Sequence, residues 1–144
     1  MSIHPSPDAR SRIPRAHVDP IGGAADALVL ISLAIAHPLA DETVVIVLDA
    51  HRRGNVITVV SGTRHVDLSL ILERFCIAAT GTAAAALVVA TVRPDGATRP
   101  GDIDRWLEAS ALAETFGLSL LEWFVIGPAG PECPRDLIGE PERW

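Results

Sequence analysis

The side chains with chemistry to offer gather in one short stretch, Thr91-Val92-Arg93-Pro94-Asp95-Gly96 followed by Gly101-Asp102-Ile103-Asp104. Seven residues separate Arg93 from Gly101, and two more separate Gly101 from Asp104. An apolar run, Ala83 to Ala90, leads into a Pro-Asp-Gly turn, and an acidic helix start follows. Carboxylates so placed raise the question of a catalytic metal. Zinc in such a site takes about three protein ligands, imidazole or carboxylate, and keeps one position for the water it acidifies. Threonine is a poor zinc ligand, and arginine stays protonated with no lone pair to donate. On these residue types no metal and no cofactor is expected.

The strand-turn-helix layout resembles the RadC-type branch of the JAB/MPN metalloprotease-like family. Its metal-binding members carry His-x-His-Pro, then Ser and Asp, at the spacing found here from Arg93 to Asp104. On that resemblance Thr91 and Arg93 stand where the histidines would be, Gly101 stands for the serine, and only Asp104 matches. The resemblance thus implies a vacated metal site, since one carboxylate does not hold zinc alone and Arg93 places a fixed positive charge where the cation would sit. The run VVIVLDAHRRGNVITVVSGT (44–63) is similar to the family's opening hairpin, and LLEWFVIG (120–127) to its closing strand. There Glu122-Trp123 replaces a common Asp-His pair. The match covers Pro20 to Gly127. It implies a three-layer mixed β-sheet flanked by helices, an α/β (α+β) fold. It also implies a general-base glutamate just before the first strand, where the chain offers Asp41 or Glu42.

Each of these residues has a plainer reading. Asp104 in a first helical turn is stabilised by the exposed N–H groups and the macrodipole. Asp41 and Glu42 fit solvated acids at a strand entry. For Arg93 the expectation is a salt bridge to Asp104, a guanidinium filling the place of the cation. Arg93, Asp95 and Asp104 are accordingly the candidate ligand-binding residues, with Arg93 suited to gripping a carboxylate.

Other nucleophile and ligand candidates are weaker. His4, His17, His37, His51 and His65 show no ligand spacing, although His51 and His65 flank the hairpin and, with Asp102, would be the raw material of a rewired metal site. His37 is expected to interact with the last carbonyls of a helix. Ser61-Gly62-Thr63 reads as a turn, Cys76 as a buried thiol, and Cys133 has no basic neighbour to activate it.

The elements that must position these groups follow from periodicity. Asp19-Pro20 has the form of a helix cap, with a helix from about Ile21 to His37 ended by Pro38. Thr43 to Asp49 and Val56 to Ser61 read as a hairpin, the first strand buried on both faces. Asp67 starts a helix whose inner face is Leu68, Ile71, Leu72, Phe75 and Cys76. Ala85 to Thr91 is a third strand. Asp102 caps the next helix, whose inner face is Ile103, Trp106, Leu107, Ser110, Ala113 and Phe116, with Gly117 as its stop. Leu118 to Ile126 is a fourth strand, and a proline-rich segment, 128–144, wraps a sheet edge or docks a second copy.

Composition sets the limits. The 144 residues, 49% hydrophobic and 21% charged, suit one globular domain spanning 19–127 between a disordered tail, 1–18, and the C-terminal segment. A net charge of −6 argues against nucleic acid as a partner, and Arg10, Arg12 and Arg15 are too few to reverse it. The apolar run Ala24 to Ala36 is too short for a bilayer, which takes about 20 residues. Two cysteines give no disulfide framework, as in a reducing cytoplasm. The expected function is a non-catalytic module binding a protein or a small anionic ligand, with a homodimer as an option. The alternative is a metal-dependent amide or isopeptide hydrolase with a rewired site.

Overall fold

The computed structural model describes residues 13–144. Four runs rich in β-branched and other apolar residues become strands: β1 (Glu42–Asp49), β2 (Gly54–Ser61), β3 (Ala84–Val92) and β4 (Ser119–Gly127). A short β5 (Gly130–Glu132) follows. A helix precedes β1, α1 (Ala24–Ala34), and two more lie between strands, α2 (Leu68–Ala79) between β2 and β3 and α3 (Asp102–Thr115) between β3 and β4. The sheet order is β2-β1-β3-β4-β5. All neighbours are antiparallel except β3 and β4, whose parallel pairing requires the crossover that α3 provides. The fold is mixed α/β with an open five-stranded sheet, the class the sequence led us to expect.

Two cores, one on each sheet face, explain why the central strands are apolar at nearly every position. Val44, Ile46 and Leu48 of β1 pack with Ala27 and Ile31 of α1. Val45, one residue out of phase, packs with Leu72 of α2 and Trp106 of α3. This is the two-sided burial expected of a central strand. The register of β3 against β4 slips between Leu87 and Val88, with Leu121 as the extra residue. That slip turns Glu122 onto the face of Val88, Phe124 and Ile126, a placement strict alternation from Leu120 would not give.

Several expected boundaries shift. The first helix begins at Ala24 rather than Ile21, and Asp19-Pro20 does not cap it. Pro20 bridges to Arg53 and the Ile21 N–H donates to the Arg52 carbonyl, so this stretch is tied to the hairpin. The helix ends at Ala34, and Ile35 is extended. In α3 the buried stripe is Asp102, Trp106, Ala109, Ser110 and Ala113. Leu107 and Phe116, expected inside, are exposed. Spacing of three and four from Trp106 selects Ala109, Ser110 and Ala113, while Leu107 sits one step round the helix. Gly101 precedes the helix, so Asp102 is its first residue and not its cap. By contrast, Asp67 caps α2 as expected, its carboxylate accepting the Ser69 N–H at 3.2 Å.

Both ends of the described chain are held. Of the expected disordered tail, residues 1–12, including His4, Arg10 and Arg12, lie outside the described residues, while Arg15 pairs with Asp19 and the His17 N–H donates to the Gly54 carbonyl. The C-terminal segment pairs β5 with the end of β4 and then makes a 3-10 turn (Pro134–Ile138). Arg135 reaches back to Glu122, and the Trp144 indole N–H donates to the Ile21 carbonyl at 2.8 Å. No described helix is long and apolar enough to cross a membrane.

Candidate functional site

A cleft of about 410 Å³ opens where β1 begins and β3 ends. Its walls carry Asp41 and Thr43 from the β1 side, Thr63 to Leu68 from the loop into α2, and Thr91 to Arg93 from β3. Arg99, Arg105 and the Trp123 ring complete it. The parallel pairing of β3 and β4 fixes its floor, because the Arg93 N–H still donates to the Ile126 carbonyl at 2.8 Å just past the strand end.

Arg93 is buried, and its guanidinium grips Asp102 with two parallel bonds, Nη1 to Oδ2 at 2.6 Å and Nη2 to Oδ1 at 2.8 Å. Nη1 also donates to the Ala97 carbonyl at 2.9 Å, which ties down the loop between β3 and α3. Asp102 is fully buried and accepts two further donors, the Arg99 N–H at 2.6 Å and Arg105 Nη1 at 3.2 Å. Burial pushes the Asp102 carboxyl upward. The hydrogen bonds from Arg93 and Arg99 and the nearby guanidinium charges outweigh it, so the group sits below the ordinary carboxylate range. The result is a satisfied internal ion pair of the bidentate kind.

Asp102, and not the expected Asp104, is thus the partner of Arg93. Asp104 is exposed and makes no ion pair among the described residues. Successive helical positions two apart point to nearly opposite sides, so only one of Asp102 and Asp104 can face inward. The sequence held the signal: Asp102 lies four residues before the buried Trp106, on the same stripe.

The Thr91 hydroxyl accepts the Trp123 indole N–H at 2.9 Å. At Gly101 a Cβ would come within 2.7 Å of Arg105 Nη1, so the missing side chain leaves room for that arginine to reach Asp102. Asp95 is exposed and pairs with Arg64 at 2.6 Å. Glu42 is buried and accepts the Ala36 N–H at 2.9 Å, which fixes the exit from α1. Asp41 lines the cleft, and its carbonyl accepts the Gly62 N–H. The Thr43 and Thr63 hydroxyls hydrogen bond at 2.8 Å across the turn at Gly62. Of the candidate ligand-binding residues, then, Arg93 lines the cleft while Asp95 and Asp104 do not.

These groups do not fit a zinc ion. Thr91 is taken by an indole, a guanidinium fills the centre, and Asp104 points away. Nor does the hairpin supply substitutes. His65 lines the cleft, but His51 sits in the β1–β2 turn at the opposite end of the hairpin, its N–H on Asp49. Among the described residues no group of three or more His, Cys, Asp or Glu is placed to hold a metal. His37 Nε2 bonds the Ser32 carbonyl at 3.0 Å near the end of α1.

The cysteines offer no nucleophile. Burial and the neighbouring Glu122 push the Cys133 thiol up to about 12, and burial raises Cys76 as well. Sequence reasoning missed Arg64, Arg99 and Arg105, which share the cleft with Arg93. Arg105 is recognisable as the i+3 neighbour of Asp102, whereas Arg64 and Arg99 reach the cleft only through tertiary folding. The sequence matches no protein-family model, and no curated protein matches it.

Proposed function

We propose that this chain is a non-catalytic binding module of RadC/JAB-like type whose cleft receives a small anionic ligand, such as a carboxylate or phosphate group. One observation carries the reading: four of the chain's twelve arginines line a single cleft in a protein of net charge −6. Arg93 is fully engaged by Asp102 and holds the cleft in shape. The exposed guanidinium of Arg99 makes no ion pair among the described residues, and Arg64 is held only by the exposed Asp95. These two have capacity for an incoming anion, with the Thr63 region and the α2 N-terminus beside them. The surviving strand-turn-helix frame, without metal ligands, supports a module that binds and does not hydrolyse.

The test is titration with inorganic phosphate and with acetate, followed by amide NMR at low salt. Shifts are expected at Arg64, Arg99 and the start of α2, weakened at least tenfold in the Arg64→Ala, Arg99→Ala double variant. No saturable shift with either anion, or an undiminished response in the variant, refutes the reading.

A further inference from the structure

We propose that the open edge of the sheet is a self-association surface, on which β2 of a second copy pairs antiparallel with β2 across a two-fold axis. Among the described residues the sheet ends on this side at β2, which is eight residues long and carries neither a charge nor a proline. Edge strands of soluble proteins are ordinarily blunted by one or the other, because their unpaired N–H and C=O groups recruit further strands. Here the edge is also apolar. Val56 is 51% exposed and Ile57 43%. A groove of about 580 Å³ beside the strand is lined by Val60, Leu70 and Phe75, and Leu70 is 50% exposed.

The sequence of the strand says which occupant fits. A two-fold axis perpendicular to the sheet keeps each face on its own side. Directly opposed residues must then have the same parity, and the pairing is centred on one residue. Gly54-Asn55-Val56-Ile57-Thr58-Val59-Val60-Ser61-Gly62 is symmetric in character about Thr58. Thr58 meets itself, Ile57 meets Val59, Val56 meets Val60, and Asn55 meets Ser61. Each inner pair is β-branched on both sides, the combination that favours cross-strand contact.

The available area is sufficient. The Gly54 carbonyl is taken by His17, which leaves Asn55 to Ser61 for pairing. At about 3.4 Å per residue that edge is about 24 Å long, and a sheet with a helix of about 10 Å diameter on each face is about 30 Å deep. The product, roughly 700 Å², lies within the roughly 600 to 1,000 Å² each partner contributes to a standard interface. The competing occupant is the chain's own segment 1–12: Pro14 to Ala16 share a small cavity with Asn55 to Ile57, although among the described residues no backbone hydrogen bond joins the two stretches.

Sedimentation equilibrium of the full chain decides the matter, combined with hydrogen exchange at β2. The expected result is about twice the chain mass of 15.3 kDa, with protection of the β2 amides that face away from β1, and a return to monomer in Val56→Lys and Thr58→Lys with unchanged far-ultraviolet circular dichroism. Thr58→Cys serves if the lysine variants fail to fold. Opposed residues of an antiparallel pair have Cα atoms about 4.5 to 5.5 Å apart, within disulfide reach, so mild oxidation should link two copies through residue 58. A monomer whose outward-facing β2 amides exchange freely overturns the proposal. So does a monomer with protected ones, which would assign the edge to residues 1–12. A dimer that survives both lysine variants, or a Thr58→Cys chain that does not cross-link, overturns it as well.

Discussion

Arg93 and Asp102, nine residues apart on the end of a strand and the start of a helix, form a two-bond ion pair that is almost wholly removed from water. Each charge depends on the other for its solvation. Arg93→Met leaves the buried Asp102 carboxylate with only the Arg99 N–H and the longer contact to Arg105, and should cost up to about 3–5 kcal/mol, because a buried charge that loses its main partner is more expensive than the pair is worth. The double variant Arg93→Met, Asp102→Leu should recover much of that loss. Urea unfolding of the two singles and the double checks it, and strictly additive losses would refute the coupling.

Two buried carboxylates should give stability opposite dependences on pH. Asp102 has its folded value lowered, so its contribution is present above the ordinary aspartate range near 3.8 and is lost as pH falls through the folded value. Glu122 has its folded value raised, by burial first and against the pull of Arg135. Its contribution is present below 4.5 and is lost as pH rises through the folded value. Asp102→Asn should flatten the acid limb below about pH 4. The stability difference between Glu122→Gln and the parent should move in favour of the variant as pH rises above the ordinary glutamate value. Unfolding free energies from pH 3 to 8 check both signs.

The strands and helices were legible because their signals are local. The alternation of β1 against two cores, the Asp67 cap and the Gly117 stop all rest on residues within a few positions of each other. The failures occur where distant contacts decide. Asp19-Pro20 looks like a cap, yet pairing of Pro20 with Arg53 draws it to the hairpin instead. The Leu121 slip depends on β3 and cannot be read from β4 alone. At the site the sequence pointed to Arg93 and to an acid at the start of α3. It pointed to the wrong acid, because the spacing that singled out Asp104 carries no information about which side of the helix is buried.

Thr91 and Trp123 make a second dependent pair across β3 and β4. Thr91→Val keeps the shape and removes the acceptor, leaving the indole N–H of a buried tryptophan unpaired. The expected cost is about 1–3 kcal/mol. Thr91→Ser should restore most of it. An unchanged midpoint in the valine variant would mean that water replaces the hydroxyl.

Gly127 closes β4 against the turn after β3. A Cβ there would run into the Gly96 carbonyl, and that contact is backbone to backbone, so no side chain can move aside. Gly127→Ala should therefore destabilise by more than the roughly 1 kcal/mol typical of a substitution. Displacement of the 94–101 loop should also disturb the cleft. The readout is thermal unfolding together with the amide shifts of Arg93 and Ala97, and a near-neutral midpoint would contradict the close approach.

The last four residues fasten the two ends of the fold together, and their removal should be costly out of proportion to their number. Glu142 supplies the carboxylate that α1 lacks at its own start, with Oε1 accepting the Ala24 N–H at 3.0 Å where Gly23 offers no side chain. Loss of such a cap costs about 0.5–2 kcal/mol. Arg143 stacks at 4.1 Å over the ring of Trp106 and donates to Ser110 Oγ and the Leu120 carbonyl, joining α3 to β4. The stacking alone is worth about 0.5–2 kcal/mol. Trp144 adds its bond to Ile21, worth about 1 kcal/mol. Deleting residues 141–144 should thus cost about 2–5 kcal/mol, a fall in midpoint of roughly 2–4 °C for each kcal/mol. The single variants Glu142→Gln, Arg143→Met and Trp144→Phe separate the contributions, with Arg143→Met expected to be the most damaging because it breaks the stack on Trp106, the bonds to Ser110 and Leu120 and the ion pair with Glu140 at once. A deletion that leaves the midpoint within a degree would mean that the segment rests on the domain without holding it.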